Sequence, residues 1–185
     1  MWDSAGDMTN ATQQTQLYLN DFFVQVQAKA FRQAEIATGS RDEALDIVQD
    51  AMIKLASKYS HKREAWPQLF QRILQNAIRD WFRRRKVRRW FSWSQDDESE
   101  PDELQVLASS DYSPEALTHN AQQLEQVETA LRQLPQRQQQ AFILRAWWGA
   151  NIEETAFAMA CSTGSVKTHY SRAQAKLKIL LEDVT

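Results

Sequence analysis

The sequence predicts an all-α protein: two small helical domains joined by a flexible acidic linker, the C-terminal one a helix-turn-helix. Three observations predict it. Gly and Pro number only four each among 185 residues, which suits helices with few turns between them. Apolar residues recur at spacings of three and four on both sides of the chain's middle, the helical period, and no strand alternation stands out. The middle changes character: residues 91–114 are acidic, rich in Ser, and hold Pro101 and Pro114, a linker composition.

With 43% hydrophobic and 25% charged residues, the chain is globular in composition. Residues 1–16 read as a flexible polar N-terminus holding Asp3 and Asp7, without the basic start and apolar core of a secretion signal. Helices are expected at about 17–37, 41–58 and 66–88, with breaks at Gly39-Ser40 and Trp66-Pro67. Pro67 suits a first helical turn, where its missing N–H costs little. After the linker, helices are expected at about 115–133, 136–148, 152–160 and 163–182. Breaks fall at Leu134-Pro135, Gly149 to Asn151 and Cys161 to Gly164. The domain boundaries follow: 17–90 and 115–185 around a 91–114 linker.

In 41–58, Leu45, Val48, Met52 and Leu55 form one buried stripe. Asp46, Gln49, Asp50 and Ile53 lie on another face. Two carboxylates, an amide and an aliphatic neighbour suit an Arg-bearing partner; from periodicity alone, ordinary helix solubility is the favoured reading. In 66–88, Leu69, Ile73, Asn76 and Asp80 share a face that turns from apolar to polar. Asn pairs with base edges, and Arg or Lys with phosphate or guanine; a surface or capping role for Asn76 stays open.

The net charge of −2 conceals a segregation. Residues 79–89, RDWFRRRKVRR, carry seven positive charges against one negative, while 94–118 are acidic and hold no Lys or Arg. Trp81, Phe82, Trp90 and Phe91 interleave with the basic run, and bases stack on such rings while Arg holds phosphate. The block points to nucleic acid. In the last helix, Ser162 is a suitable N-cap. Val166, Tyr170, Ala173, Leu177 and Leu181 face inward, leaving Lys167, Thr168, Ser171 and Arg172 outside. Residues 162–180 hold four positive charges and no acid, as a major-groove reader requires.

Other classes find little support. No run approaches the 18 or so apolar residues of a membrane span. His61, His119 and His169 are scattered, and Cys161 has no partner at metal-ligand spacing. Neither enzyme, metal nor cofactor is expected. Cys161 reads as a small buried residue of the turn more readily than as a redox sensor. One thiol also fits a cytoplasmic location.

Three stretches together resemble the extracytoplasmic-function (ECF) sigma factors of bacterial RNA polymerase. GSRDEALDIVQDAMIKL at 39–55 looks like that family's polymerase-docking helix, with Ala44, Asp46, Val48, Gln49 and Asp50 in place. RILQNAIRDWFRRRK at 72–86 looks like the segment that reads and opens the −10 element, with Ile73, Asn76, Asp80 and Arg83 in the family's spacing. ALRQLPQRQQQAFILR at 130–145 and STGSVKTHYSRAQAKL at 162–177 look like its −35 domain, through Leu131, Leu134, Pro135, Gly164, Val166, Arg172 and Ala173. The resemblance spans about 17–88 and 115–182. It departs at Leu69, often Trp in the family, with Trp66 one turn earlier. It departs also at Thr155 and Met159, usually Ile and Leu, and at His169, often Arg.

The resemblance implies core RNA polymerase, promoter DNA and an anti-sigma factor as partners. It assigns polymerase docking to Asp46, Gln49, Asp50 and Ile53. It assigns −10 recognition to Trp66, Leu69, Ile73, Asn76, Asp80, Arg83, Arg84 and Arg85. It assigns −35 recognition to Lys167, Thr168, His169, Ser171 and Arg172. A helix-turn-helix regulator acting without polymerase is the alternative, and it leaves the 39–86 block unexplained.

Overall fold

The computed structural model describes residues 4–93 and 119–182, with side chains placed over 13–87 and 123–182. Among these residues there is no strand. Three long helices make the N-terminal half: α1 (Ser4–Thr38), α2 (Arg41–Tyr59) and α3 (Trp66–Trp93), with a short 3₁₀ turn at Arg63–Ala65. Four make the C-terminal half: α4 (His119–Arg132), α5 (Gln136–Phe142), α6 (Ile152–Met159) and α7 (Thr163–Glu182). A π turn, Ile143–Trp147, extends α5.

The breaks have local causes. Gly39 at φ +69° turns the chain out of α1, a conformation that costs glycine nothing. The Ser40 side chain then accepts from the Glu43 N–H and starts α2. Trp66 is anchored by its indole N–H, which donates to the Tyr59 carbonyl at 2.9 Å. In the C-terminal half Asn151 and Glu154 cap α6 reciprocally. Ala160, left-handed at φ 51°, ends it, and Ser162 accepts from the Ser165 N–H to start α7.

Helices α1, α2 and α3 close over one core in which Phe22 and Phe23 pack on Trp66 and Phe70. The α2 stripe is Ala44, Ile47, Val48, Ala51 and Leu55. Leu45 is 43% exposed and Met52 only partly buried, so the inward face is rotated from the expected one. Small alanines let α2 approach its neighbours closely, and Leu45 is turned out.

Two boundaries differ from expectation. Helix α1 starts at Ser4, so 4–16 are helical rather than a flexible tail. Helix α3 runs to Trp93, into the segment read as linker. The rest of that linker, and the expected helix start at 115–118, lie outside the described residues.

The halves are not separate bodies. Ile36, near the end of α1, is fully buried and packs with Leu131, Leu134, Ile143 and Leu177 of the C-terminal half. Around it, the Trp148 indole N–H donates to Gln33 Oε1 at 2.8 Å, and Arg32 binds Glu128 at 2.5 Å and Glu35 at 2.7 Å. The π turn has a role here: it adds one residue to the last turn of α5 and delivers Trp148 to α1.

Candidate nucleic-acid interface

Helix α2 turns Asp46, Gln49, Asp50 and Ile53 to solvent, with Ile53 65% exposed. Leu45 falls on the same side, since residues three, four and seven or eight apart share a helix face. An exposed isoleucine and leucine thus flank two carboxylates and an amide. Sequence reasoning missed Leu45 because it reads as core. Its signal was the competing stripe of Ala44, Ile47 and Ala51.

Helix α3 divides the residues assigned to it. Trp66 and Ile73 are 3% and 6% exposed and belong to the core. The Trp66 indole is held by Tyr59 and packed on Phe22. Leu69 and Asn76 are half-buried, and Asp80, Arg83 and Arg84 exposed. Arg83 lies 3.2 Å from Asp80, an exposed pair that contributes little to stability. Arg85 stacks on Trp81 at 5.2 Å. Trp81 and Phe82, read as rings for base stacking, are buried edge-to-face on each other. Their phase on the helix places them on the core side. The side chains of Trp90 and Phe91 lie outside the described residues.

The turn between α6 and α7 presents α7 along its length. Lys167, Thr168, Ser171 and Arg172 are exposed and His169 half-buried. Val166, Ala173 and Leu177 anchor the opposite side. Tyr170 and Leu181, expected to face inward, are only partly buried, Tyr170 stacking on Phe142 at 5.9 Å. The Thr168 hydroxyl donates back to the Gly164 carbonyl at 3.1 Å. Burial, then the neighbouring Arg137 and Arg172, push the His169 pKa below the ordinary histidine value, so His169 enters this basic face neutral. Thr155 and Met159 are fully buried, the Thr155 hydroxyl donating to the Asn151 carbonyl at 2.7 Å. The polar Thr155 is thereby accommodated where an apolar residue would otherwise pack.

Arg72, Arg79 and Arg137 were not singled out from sequence. Arg137 donates to the Met159 carbonyl at 2.8 Å, Arg79 to the same oxygen at 3.5 Å, and Arg72 to the Phe157 carbonyl at 3.2 Å. These carbonyls end α6, where the helix dipole attracts cations. Among the described residues no group of His, Cys, Asp and Glu has the geometry of a metal site. No described helix is long and apolar enough to cross a membrane.

The chain matches the family "Sigma-70, region 4" over residues 124–177, the segment that holds α6 and most of α7. It is 31% identical over 143 residues to the RNA polymerase sigma-E factor of Streptomyces avermitilis, covering 76% of this chain and 72% of that one. It is 28% identical over 149 residues to the ECF RNA polymerase sigma factor EcfG of Rhodopseudomonas palustris, covering 78% and 74%. Among solved structures, the sigma factor RpoE of Bartonella quintana, in complex with the anti-sigma factor NepR, superposes with a TM-score of 0.60 at 28% identity. That match covers 88% of this chain and 97% of the other.

Proposed function

Because the chain belongs to the extracytoplasmic-function sigma factors of bacterial RNA polymerase, we propose that its exposed faces divide the work of initiation among three sites. The protein is a sigma factor: it directs core polymerase to promoters and aids their opening. Asp46, Gln49, Asp50 and Ile53, with Leu45 beside them, dock on polymerase. Leu69, Asn76, Asp80 and Arg83 to Arg85 engage the −10 region, and Lys167, Thr168, His169, Ser171 and Arg172 the −35 major groove. Residues 17–90 and 115–185 act as the two functional domains. The protein works by binding, without chemistry of its own, in the cytoplasm where polymerase is. By analogy with the Bartonella complex it takes an anti-sigma partner.

The observation that carries the assignment is the α2 face. It joins carboxylates to exposed aliphatic side chains, Ile53 above all, and a DNA-binding domain alone has no use for it. Good base contacts from α7 contribute about 1–3 kcal/mol of discrimination each. Opening costs about 1.4 kcal/mol of stacking per step, offset in part by captured bases and in part by polymerase.

Run-off transcription with core polymerase on a pool of promoter fragments tests the reading. Transcripts that depend on this protein and vanish with Asp46→Arg plus Gln49→Ala support it. DNA binding without any transcript leaves only a helix-turn-helix regulator.

A further inference from the structure

A cavity of about 150 Å³ lies where α1, α3 and α6 meet the π turn. Phe70, Leu144 and Ala158, all buried, make its inner end. Phe22, Val26 and Trp148, half-buried, make its walls. The exposed Pro67, Gln68 and Gly149 form its rim, so the cavity opens to solvent. None of the residues assigned above to polymerase or DNA lines it.

The walls are already held in place. Phe22 meets Phe70 edge-to-face at 5.8 Å. The Trp148 indole N–H donates to Gln33 Oε1 at 2.8 Å. The Ala150 N–H donates to the Leu144 carbonyl at 3.0 Å and fixes the turn after Trp148. A preformed lining spares a ligand the cost of ordering it.

Gln71 is out of place in this lining. It is 8% exposed, and neither its Nε2 nor its Oε1 has a hydrogen-bond partner among the described residues. A buried amide left unpaired is penalised. Water is a poor remedy. A buried water needs about two to four polar partners, and the side chains of Phe22, Phe70, Leu144 and Ala158 supply none.

The two orphaned atoms define the missing partner, because Nε2 donates and Oε1 accepts. An anion would satisfy Nε2 alone and would also meet the Glu154 carboxylate of the lining. An ammonium ion would satisfy Oε1 alone. A neutral group with donor and acceptor side by side satisfies both, as when glutamine pairs with the Hoogsteen edge of adenine. The rest of the wall is aromatic and aliphatic, which suits a flat apolar ring. The volume sets the size of that ring, since an apolar cavity of about 150 Å³ holds benzene.

We propose that this cavity is a binding site for a small neutral single-ring compound with an amide-type edge, a lactam or a carboxamide, paired with Gln71. The site stands apart from the sigma-factor reading and adds a ligand to it.

The probe is α-pyridone, a single ring with adjacent N–H and C=O. N-methyl-α-pyridone lacks the donor, and toluene lacks both groups. Each is titrated to about 10 mM into isotope-labelled full-length protein, a range that reaches millimolar binding. NMR follows the backbone amides of the lining and the Gln71 side-chain amide. Circular dichroism confirms that each variant keeps its helices.

α-Pyridone should saturate with a dissociation constant of about 1 mM or lower, well within what so small a ligand can reach. N-methyl-α-pyridone and toluene should bind about 10-fold more weakly, since they leave Gln71 unpaired. In Gln71→Leu the preference should reverse: α-pyridone weakens about 10-fold and toluene tightens. Ala158→Leu fills the inner end and should abolish binding of all of them. Should that variant fail to fold, the reversal in Gln71→Leu decides alone. No saturable shift with α-pyridone overturns the proposal. So does toluene binding as tightly as α-pyridone, or an α-pyridone affinity unchanged in Gln71→Leu. None of these results touches the sigma-factor reading, because neither polymerase nor DNA is present.

Discussion

Ile36 is an apolar residue of α1 that packs in the core of the other half of the molecule, and truncating it separates domain docking from domain folding. Ile36→Ala removes three carbons from a fully buried site. At about 0.8 kcal/mol per buried methylene this is about 2.4 kcal/mol, near the lower end of the roughly 2–5 kcal/mol typical of such truncations. The neighbours lost are Leu131, Leu134, Ile143 and Leu177, all across the interface. The cost therefore falls on the closed state, whose equilibrium with the open one drops about 50-fold. Small-angle scattering should show a larger radius of gyration, with helical content by circular dichroism unchanged. Leu74→Ala, inside the N-terminal core, should do the opposite: helices melt at lower urea while the radius before melting stays compact. If Ile36→Ala instead melts helices as Leu74→Ala does and leaves the radius unchanged, Ile36 serves its own domain and the account of the interface is wrong.

On α7, Arg172→Ala should weaken binding to a −35 duplex by about 1–3 kcal/mol and relax its sequence preference if Arg172 reads a base. Lys167→Ala should weaken all sequences alike and lower the salt slope by about one if it holds phosphate. His169 should titrate by NMR below the ordinary histidine range, and Arg137→Gln should bring it upward, since Arg137 is the first charge that depresses it. For a base depressed in the folded state, the unfolded chain binds the proton first as pH falls. The contribution of His169 to stability is therefore full above about pH 6.5 and is lost as pH falls through the lower folded value. An unshifted His169 resonance would remove that pH dependence.

Much of the architecture was legible because helices advertise themselves locally. Few breakers and recurrent spacings marked α2 and α5 to α7 within a few residues, and Ser162 announced the start of α7. Periodicity reports which face is apolar but not what covers it. Ile36 looks the same in sequence whether it packs on its own domain or on the next. Aromatic residues in a basic run read alike as platforms or core; the phase of Trp81 and Phe82 against Phe70 and Leu74 places them inside.

The residues alone establish the all-α class, the helix-turn-helix and the family, because each is written in spacings of a few residues along one chain. The packing of one half on the other, the burial of Trp66 and Ile73 and the outward turn of Leu45 arise from the tertiary arrangement. They depend on which of several helical faces meets a partner distant in sequence. Gln71 and Gln75 show the reason most plainly: glutamine on a helix is ordinarily a surface residue, and another domain packed against α3 is what buries them.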